Sequence, residues 1–140
     1  MNTTFLNGDS EHKQKGLDSL QSVKEDFEIF MQDTEGNDET GSFYDYGLSF
    51  DFVDAGTFND QERGYYRFQF SWGGPSDELR IYQDGTLEYV YLDWFVGVGF
   101  NVTHEEWAQW IEEFFTNCMS IDWDSLSPEQ LEIYEEEEEV

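Results

Sequence analysis

The last basic residue of this chain is Arg80, whereas acidic residues continue to Glu139 and include five consecutive Glu at 135–139. The 140 residues contain 33 Asp and Glu against six Lys and Arg, a formal net charge of -27. Repulsion at this charge density opposes a compact state, and solubility alone needs far less charge. Any fold must offset that repulsion, and we interpret the charge as either a working surface or an adaptation to salt.

The aromatic content indicates how the chain can fold against this repulsion. Phe, Tyr and Trp make up 19% of the residues, whereas disordered acidic chains lack aromatics and cannot bury enough apolar area to offset chain entropy. A chain of this length typically forms one domain that buries roughly two-thirds of its unfolded surface. We predict a flexible polar arm over residues 1–15, a single domain over residues 16–134 and an acidic tail over residues 135–140.

Helical periodicity occurs near both ends of the predicted domain. Apolar residues spaced three or four apart predict a helix over residues 17–32. They are Leu20, Val23, Phe27 and Phe30. Thr103 and Glu106 fit a capping box at the start of a second helix, over residues 104–118. Its apolar stripe consists of Trp107, Trp110, Ile111, Phe114, Phe115 and Cys118. Ser127 as an N-cap predicts a short third helix.

Alternation of apolar and polar residues predicts antiparallel strands in the middle of the chain. The segments are 46–52, 65–72, 78–83 and 86–93. The dipeptide Asp84-Gly85 predicts a hairpin of the primed-turn type between the last two segments. We expect Trp72 to lie on the core face of its strand. The predicted fold class is α+β, with an antiparallel β-meander of three or four strands and with the N-terminal helix and two C-terminal helices packed on one face.

The chain shows no arrangement of residues typical of an active site. His12 falls in the predicted arm and His104 in a first helical turn, so the two have no obvious shared site. Cys118 continues an apolar stripe, which predicts a packed core thiol. We therefore predict no enzymatic activity, no cofactor and no metal. Carboxylate clusters around Asp51 remain an alternative for cation binding or glycoside hydrolysis, and exposed Trp or Tyr side chains remain an alternative for stacking on sugars.

Charge and hydropathy also indicate which partners and compartment to expect. The chain lacks an apolar run of about 20 residues, and its N-terminus lacks the apolar stretch of a signal peptide. The single cysteine agrees with a reducing compartment, so we predict a cytoplasmic location. Anionic membranes and nucleic acids should both repel this surface. We predict no membrane contact, no direct nucleic-acid binding and a basic nucleic-acid-binding protein as the partner, and we leave a homodimer open.

The geometry of regular secondary structure allows carboxylates to copy a phosphate backbone. Carboxylates two residues apart on a strand lie roughly 6.5 to 7 Å apart, and those three or four apart on a helix about 5 to 6 Å apart, near the distance between neighbouring phosphates. We predict a partner-binding surface from acids expected on outer faces. The candidates are Asp45, Asp51, Asp84, Glu88, Glu105, Glu106, Glu112, Glu113, Glu129, Glu132, Glu135 and Glu136.

These features resemble those of known acidic proteins. Small size, extreme acidity and many aromatics resemble the DNA-mimic proteins of phages and mobile elements, such as antirestriction proteins, acidic anti-CRISPR proteins and uracil-DNA glycosylase inhibitors. Residues 65–78 (YYRFQFSWGGPSDE) and 89–94 (YVYLDW) also resemble uncharacterised accessory proteins of plasmids and phages. The resemblance implies an inhibitor that occupies the DNA-binding groove of a host defence or DNA-processing enzyme. DNA mimics share no fold, so it assigns no functional residue.

Two other functions fit the same composition. An immunity protein that neutralises a cationic nuclease toxin needs a similar acidic surface but a single cognate partner. A housekeeping protein of a halophile would also have few Lys and many acids, although salt adaptation does not explain the many large aromatics. The sequence therefore favours a non-enzymatic mimic of nucleic acid and leaves these two alternatives.

Overall fold

The computed structural model describes residues 3–6, 9–73, 75–93 and 96–133. Its regular elements in chain order are β1 (Thr3–Leu6), α1 (Ser10–Phe30), β2 (Ser49–Val53), β3 (Tyr65–Ser71), β4 (Ser76–Ile81), β5 (Leu87–Asp93), β6 (Val96–Asn101), α2 (Glu106–Asn117) and α3 (Pro128–Leu131). Short 3-10 turns lie at Phe43–Asp45 and Trp123–Ser125. The predicted α+β class is confirmed.

One antiparallel sheet contains all six strands in the order β1-β6-β5-β4-β3-β2. Strands β2 to β6 form a meander, and β1 pairs with β6 at the edge opposite β2. Since β1 and β2 occupy opposite edges, α1 and the segment after it connect the two sides of the sheet. The prediction of three or four strands is therefore too low.

The core lies between one face of the sheet and helices α1 and α2. On the sheet, the fully buried side chains of this face include Leu79, Ile81, Tyr89, Val98 and Phe100. Phe27 of α1 lies at the centre, with its ring centroid 6.0 Å from that of Trp107 on α2 and 5.9 Å from that of Phe70 on β3. The aromatic stripes of both helices thus meet over the sheet, as their periodicity predicted.

Residues 3–6 and the segment that follows Asp9 are part of this fold. Thr3–Leu6 form β1, and α1 begins at Ser10, because the Asp9 carboxylate accepts hydrogen bonds from the backbone N–H groups of Glu11 and His12. Residues 3–6 and 10–15 therefore have regular structure, where the sequence analysis placed a flexible polar arm over residues 1–15. Apolar periodicity failed there because the first turns of α1 carry mostly polar side chains.

The sequence analysis missed β6 because its glycines resemble a loop. At Gly99, a Cβ atom would lie 2.6 Å from Oε2 of Glu88 on the neighbouring strand, so the absence of a side chain leaves room for the end of the Glu88 side chain. A glycine inside a strand often marks such a close approach.

Two turn predictions need correction. The hydroxyl of Thr103 accepts a hydrogen bond from the Leu87 backbone N–H, so the capping box is wrong, and α2 begins after Glu105 without a side-chain cap. The hairpin at Asp84-Gly85 is present, but among the described residues of this turn only Gly85 has a positive φ, of 93°. A primed turn of type I′ would need two such residues. The capping box at Ser127 is confirmed.

A β-bulge changes the face on which the end of β3 is displayed. The register of β3 against β4 shifts between Gln69 and Ser71, so Ser71 pairs with Asp77. The following side chain, Trp72, is 76% exposed, which corrects the prediction that it lies in the core. Cys118 is also exposed at the end of α2, so the predicted packed thiol is wrong.

Asp77, buried to 5% exposure, fixes α1 to the sheet through hydroxyl groups. The hydroxyls of Tyr89 and Ser71 donate to its two carboxylate oxygens, and Ser19 of α1 lies within hydrogen-bonding distance of both Asp77 and Tyr89. Burial, followed by the charge of Asp77, raises the pKa of the Tyr89 hydroxyl.

No helix in the described part of the chain is long and apolar enough to cross a membrane.

Candidate functional site

Helix α2 presents acidic side chains on the face opposite its buried stripe. Trp107, Ala108 and Ile111 face the core, so the helical period places Glu106, Gln109 and Glu113 outward. We call the outward residues Glu105, Glu106, Gln109, Glu112 and Glu113 the acidic helix face. Its acids form two pairs that lie seven residues apart, a rise of about 10.5 Å, or about three base-pair rises of DNA.

The acids of the acidic helix face differ in their surroundings. Glu105 lies 3.6 Å from the ammonium nitrogen of Lys24 on α1. Within the described residues, Glu106, Glu112 and Glu113 have no basic side chain within ion-pair distance. Burial raises the pKa of the half-buried Glu112 carboxyl. Three negative charges therefore remain unbalanced on one helix.

A shallow cavity of about 460 Å³ runs along this helix face. Its walls include Gln109, Glu112 and Glu113 from α2, with His104 before the helix and Gly85 from the β4–β5 hairpin. The hairpin that carries Asp84 thus lies beside the acidic helix face. The concave acidic surface can accept a convex basic element, since complementary charge favours such contacts.

Other predicted acids carry their own counter-ions. On the sheet face opposite the helices, Asp51 accepts two hydrogen bonds from the Arg67 guanidinium, at 3.0 and 2.7 Å. Asp84 accepts one from Arg63 at 2.9 Å. Hydrogen bonds from Thr86, followed by those from Arg63, lower the pKa of Asp84. A neighbouring arginine therefore balances the negative charge of each of these two acids.

The remaining predicted acids are dispersed. Asp45 is exposed in a 3-10 turn rather than on the outer face of a strand, because β2 begins only at Ser49. Glu129 is exposed on α3, and Glu132 is exposed where it bridges to Arg63 in backbone pairing. Glu88 packs over Gly99, and burial raises its pKa. Glu135 and Glu136, with the predicted acidic tail, lie outside the described residues.

A second concave site, which the sequence did not predict, lies on the other face of the sheet. We call this side the arginine face, because cross-strand neighbours Arg67 and Arg80 lie on it. A cavity of about 530 Å³ has Arg67, Gln69, Ser76, Glu78 and Arg80 in its lining, with Phe58, Trp72, Gly73 and Leu92 around them. The signal available in the sequence was the polar alternation of residues 67, 69, 78 and 80 on paired strands.

Two acids hold the opposed arginines of the arginine face in place. Like charges directly opposite each other on neighbouring strands repel. Arg67 is balanced by Asp51, and Nε of Arg80 donates to Glu78 Oε2 at 2.7 Å. The Arg80 guanidinium also lies 4.7 Å from the ring centroid of Tyr65, within range of a cation–π contact. These contacts hold both guanidinium groups in place at the cavity.

Comparisons with known proteins do not assign this chain to a family. No family model matches the chain, and neither a curated protein nor a solved structure is similar to it. In the described ranges, no three His, Cys, Asp or Glu side chains are grouped to hold a metal ion. The two surfaces themselves are therefore the basis for assigning a function.

Proposed function

We propose that this protein is a non-enzymatic inhibitor that mimics the phosphate backbone of nucleic acid. It occupies the DNA- or RNA-binding site of a basic host defence or DNA-processing protein, in the manner of antirestriction and anti-CRISPR proteins. The supporting observation is the acidic helix face, where Glu106, Glu112 and Glu113 lie without basic neighbours in the described structure. The paired acids of the arginine face lack this property.

Helical support makes the acidic helix face suitable for a protein partner. Trp107 and Ile111 anchor the opposite side of α2 in the core, so the acids project from a rigid element. A rigid array loses little entropy on binding. A net charge of -27 also steers a basic partner over long distances, and it repels nucleic acid itself.

Salt sensitivity follows from this proposal. Exposed charges act mainly on the association rate, and the screening length falls to about 10 Å at 0.1 M salt. Association with the partner should therefore slow as salt increases. The cytoplasm, where both nucleic acid and defence nucleases are found, is the proposed site of action.

A matched pair of charge-reversal variants tests the surface. One variant carries Glu106→Lys, Glu112→Lys and Glu113→Lys, and the control carries Glu11→Lys, Glu25→Lys and Glu28→Lys on the exposed side of α1. Both change the net charge by the same amount. Partners are captured from host lysate at low salt, and the purified partner is then assayed for association rate and for DNA binding.

We expect the α2 variant to reduce the association rate at least tenfold and to lose competition with DNA, whereas the control keeps most of both. Equal loss in the two variants would mean that only net charge matters. Tight binding of the purified wild-type protein to duplex DNA in a gel-shift assay would contradict the proposal directly. A single cognate cationic nuclease as the only partner would instead identify an immunity protein.

A further inference from the structure

The cavity on the arginine face is formed by a rigid floor and two exposed aromatic walls. Its floor comes from paired strands β3 and β4, where Arg67 lies opposite Arg80 and Gln69 lies opposite Glu78. Neighbouring strands lie about 4.8 Å apart, and same-face residues about 7 Å apart. The polar groups therefore form a two-dimensional array and not a single row.

Two polar groups on this floor line the cavity and have no hydrogen-bond partner among the described residues. Gln69 is 8% exposed and Ser76 is 9% exposed. Gln69 accepts a hydrogen bond from Ser49 through Oε1, but in the described ranges its amide nitrogen and the Ser76 hydroxyl make no hydrogen bond. Polar groups that line a cavity can bind water or the polar groups of a ligand.

Charge at the cavity selects the kind of ligand. Arg67 and Arg80 are matched by Asp51 and Glu78, so the floor carries no net charge. The surrounding protein is strongly negative and repels anions such as nucleotides or acidic peptides. A neutral ligand that both donates and accepts hydrogen bonds fits the floor best.

The aromatic walls provide a stacking surface beside the floor. Trp72 reaches the arginine face because the bulge after Gln69 reverses the alternation of β3, and it is 76% exposed. Phe58, 51% exposed, lies in a loop that is tied by the Gln61 amide to the carbonyls of Asp54 and Arg63. Large exposed aromatics at a polar cavity indicate a binding site rather than a core.

We propose that this cavity binds a neutral sugar ring, which stacks its C–H face on Trp72 and directs its hydroxyl or acetamido groups to Gln69, Ser76, Glu78 and the two arginines. A pyranose carries polar groups all around its rim, which matches an array on two strands. A nucleobase carries its hydrogen-bonding groups only in the plane of its flat ring, whereas pyranose hydroxyls also project above and below the mean ring plane, toward both strands of the floor. This site is separate from the acidic helix face and does not depend on the proposed inhibitor function.

Titration of the intact protein with N-acetylglucosamine, its β-1,4-linked trimer and maltotriose tests this inference. In a nitrogen-proton correlation spectrum, the indole N–H signal of Trp72, assigned by its loss in Trp72→Phe, reports occupancy in the parent protein, and the backbone N–H signals of Gln69 and Glu78 report it in every variant. The matched variants are Trp72→Ala and Tyr44→Ala, which remove similarly exposed aromatics from opposite sides of the molecule. Uridine and guanosine are titrated as the planar competitors.

We expect at least one sugar to shift the Trp72 signal in a saturable way, Trp72→Ala to weaken its binding about tenfold, and Tyr44→Ala to leave it unchanged. Charge reversal at Glu106, Glu112 and Glu113 should also leave it unchanged, which separates this site from the inhibitor surface. The inference is overturned if no sugar shifts the signal at about 10 mM, if both alanine variants bind alike, or if a nucleoside binds more than tenfold more tightly than every sugar.

Discussion

The acidic helix face and the arginine face both carry carboxylates, but the two sets differ in whether a basic side chain lies beside them. On α2, Glu106, Glu112 and Glu113 project from a helix without basic neighbours in the described structure. On the sheet, Asp51 and Glu78 each hold a guanidinium group. The three arginines of the chain, at 63, 67 and 80, all lie on or beside this second side.

This difference shows that the number of acids does not define the acidic surface. An acid paired with arginine contributes little to the field at a distance, whereas unpaired neighbours add to it. The two sides also use their aromatics differently. Trp107 is buried beneath α2, and Trp72 is exposed at the sheet cavity. We therefore expect substitutions on the two sides to have distinct consequences.

The largest expected difference concerns the two tryptophans. Trp107→Ala should lower the free energy of unfolding by about 3 to 5 kcal/mol, because it leaves a cavity among Phe27 and the sheet residues. Trp72→Ala should change it by less than about 0.5 kcal/mol, because the ring is mostly in solvent. Urea unfolding monitored by circular dichroism measures both. A comparable loss for Trp72 would show that this ring packs in solution and would weaken the cavity argument.

Replacing single arginines should show that the buried ion pair contributes more to stability than the exposed one. Arg80→Ala leaves the Glu78 carboxylate, only 3% exposed, without its partner, and should cost toward the lower end of about 3 to 5 kcal/mol. Arg63→Ala, which unpairs the exposed Asp84, should cost less than about 1 kcal/mol. Adding Glu78→Gln to Arg80→Ala should recover part of the loss. No recovery would indicate that Arg80 acts by packing on Tyr65 instead.

The buried hydroxyl network around Asp77 should make the stability of the protein decrease at alkaline pH. Burial raises the pKa of Tyr89 in the folded protein, so its contribution to stability is complete below the unfolded pKa of about 10 and is lost as pH rises above that value. Tyr89→Phe should cost about 1 to 3 kcal/mol at pH 7, since Asp77 loses a donor. It should also reduce the decline in stability above pH 10. An unchanged alkaline decline in the variant would assign it to other groups.

The smallest expected effect distinguishes a half-buried acid from an exposed one. Burial raises the pKa of Glu88, so its favourable contribution is present below the unfolded pKa of about 4.3 and is lost as pH rises through the folded value. Glu88→Gln should therefore stabilise the protein by a few tenths of a kcal/mol at pH 7 and by nothing near pH 4. Glu113→Gln, an exposed control, removes the same charge without that burial. Equal melting temperatures for both variants at pH 7 would attribute the gain to net charge alone.

Long periodic segments made much of the fold predictable. The aromatic stripe of α2 and the alternation of β3 and β5 each appear in the structure close to their predicted places. The N-terminal strand and β6 were missed because polar residues and glycines carry no periodic signal of burial. For the candidate site, the outward position of Glu106, Glu112 and Glu113 followed from the helical period.

Other features could not be predicted because they depend on distant partners. Thr103 resembles a helix cap, yet its hydroxyl bonds to the Leu87 backbone on a neighbouring strand. Trp72 fits the core side of an ideal strand, yet a bulge at the β3–β4 pairing exposes it. The spacing of residues along the chain cannot reveal the Thr103 hydrogen bond or the exposure of Trp72, since both depend on how distant strands pair.

The sequence by itself determined the net charge, the presence of an aromatic core and the amphipathic helix that displays acids, because composition and periodicity are local properties. Only the tertiary structure decided which acids remain without counter-ions, because Asp51, Asp84 and Glu105 meet their basic partners across separations of 16 residues or more in the chain. It also decided that the arginines and Trp72 share a cavity, because strand pairing and a single bulge bring them to the same face of the sheet.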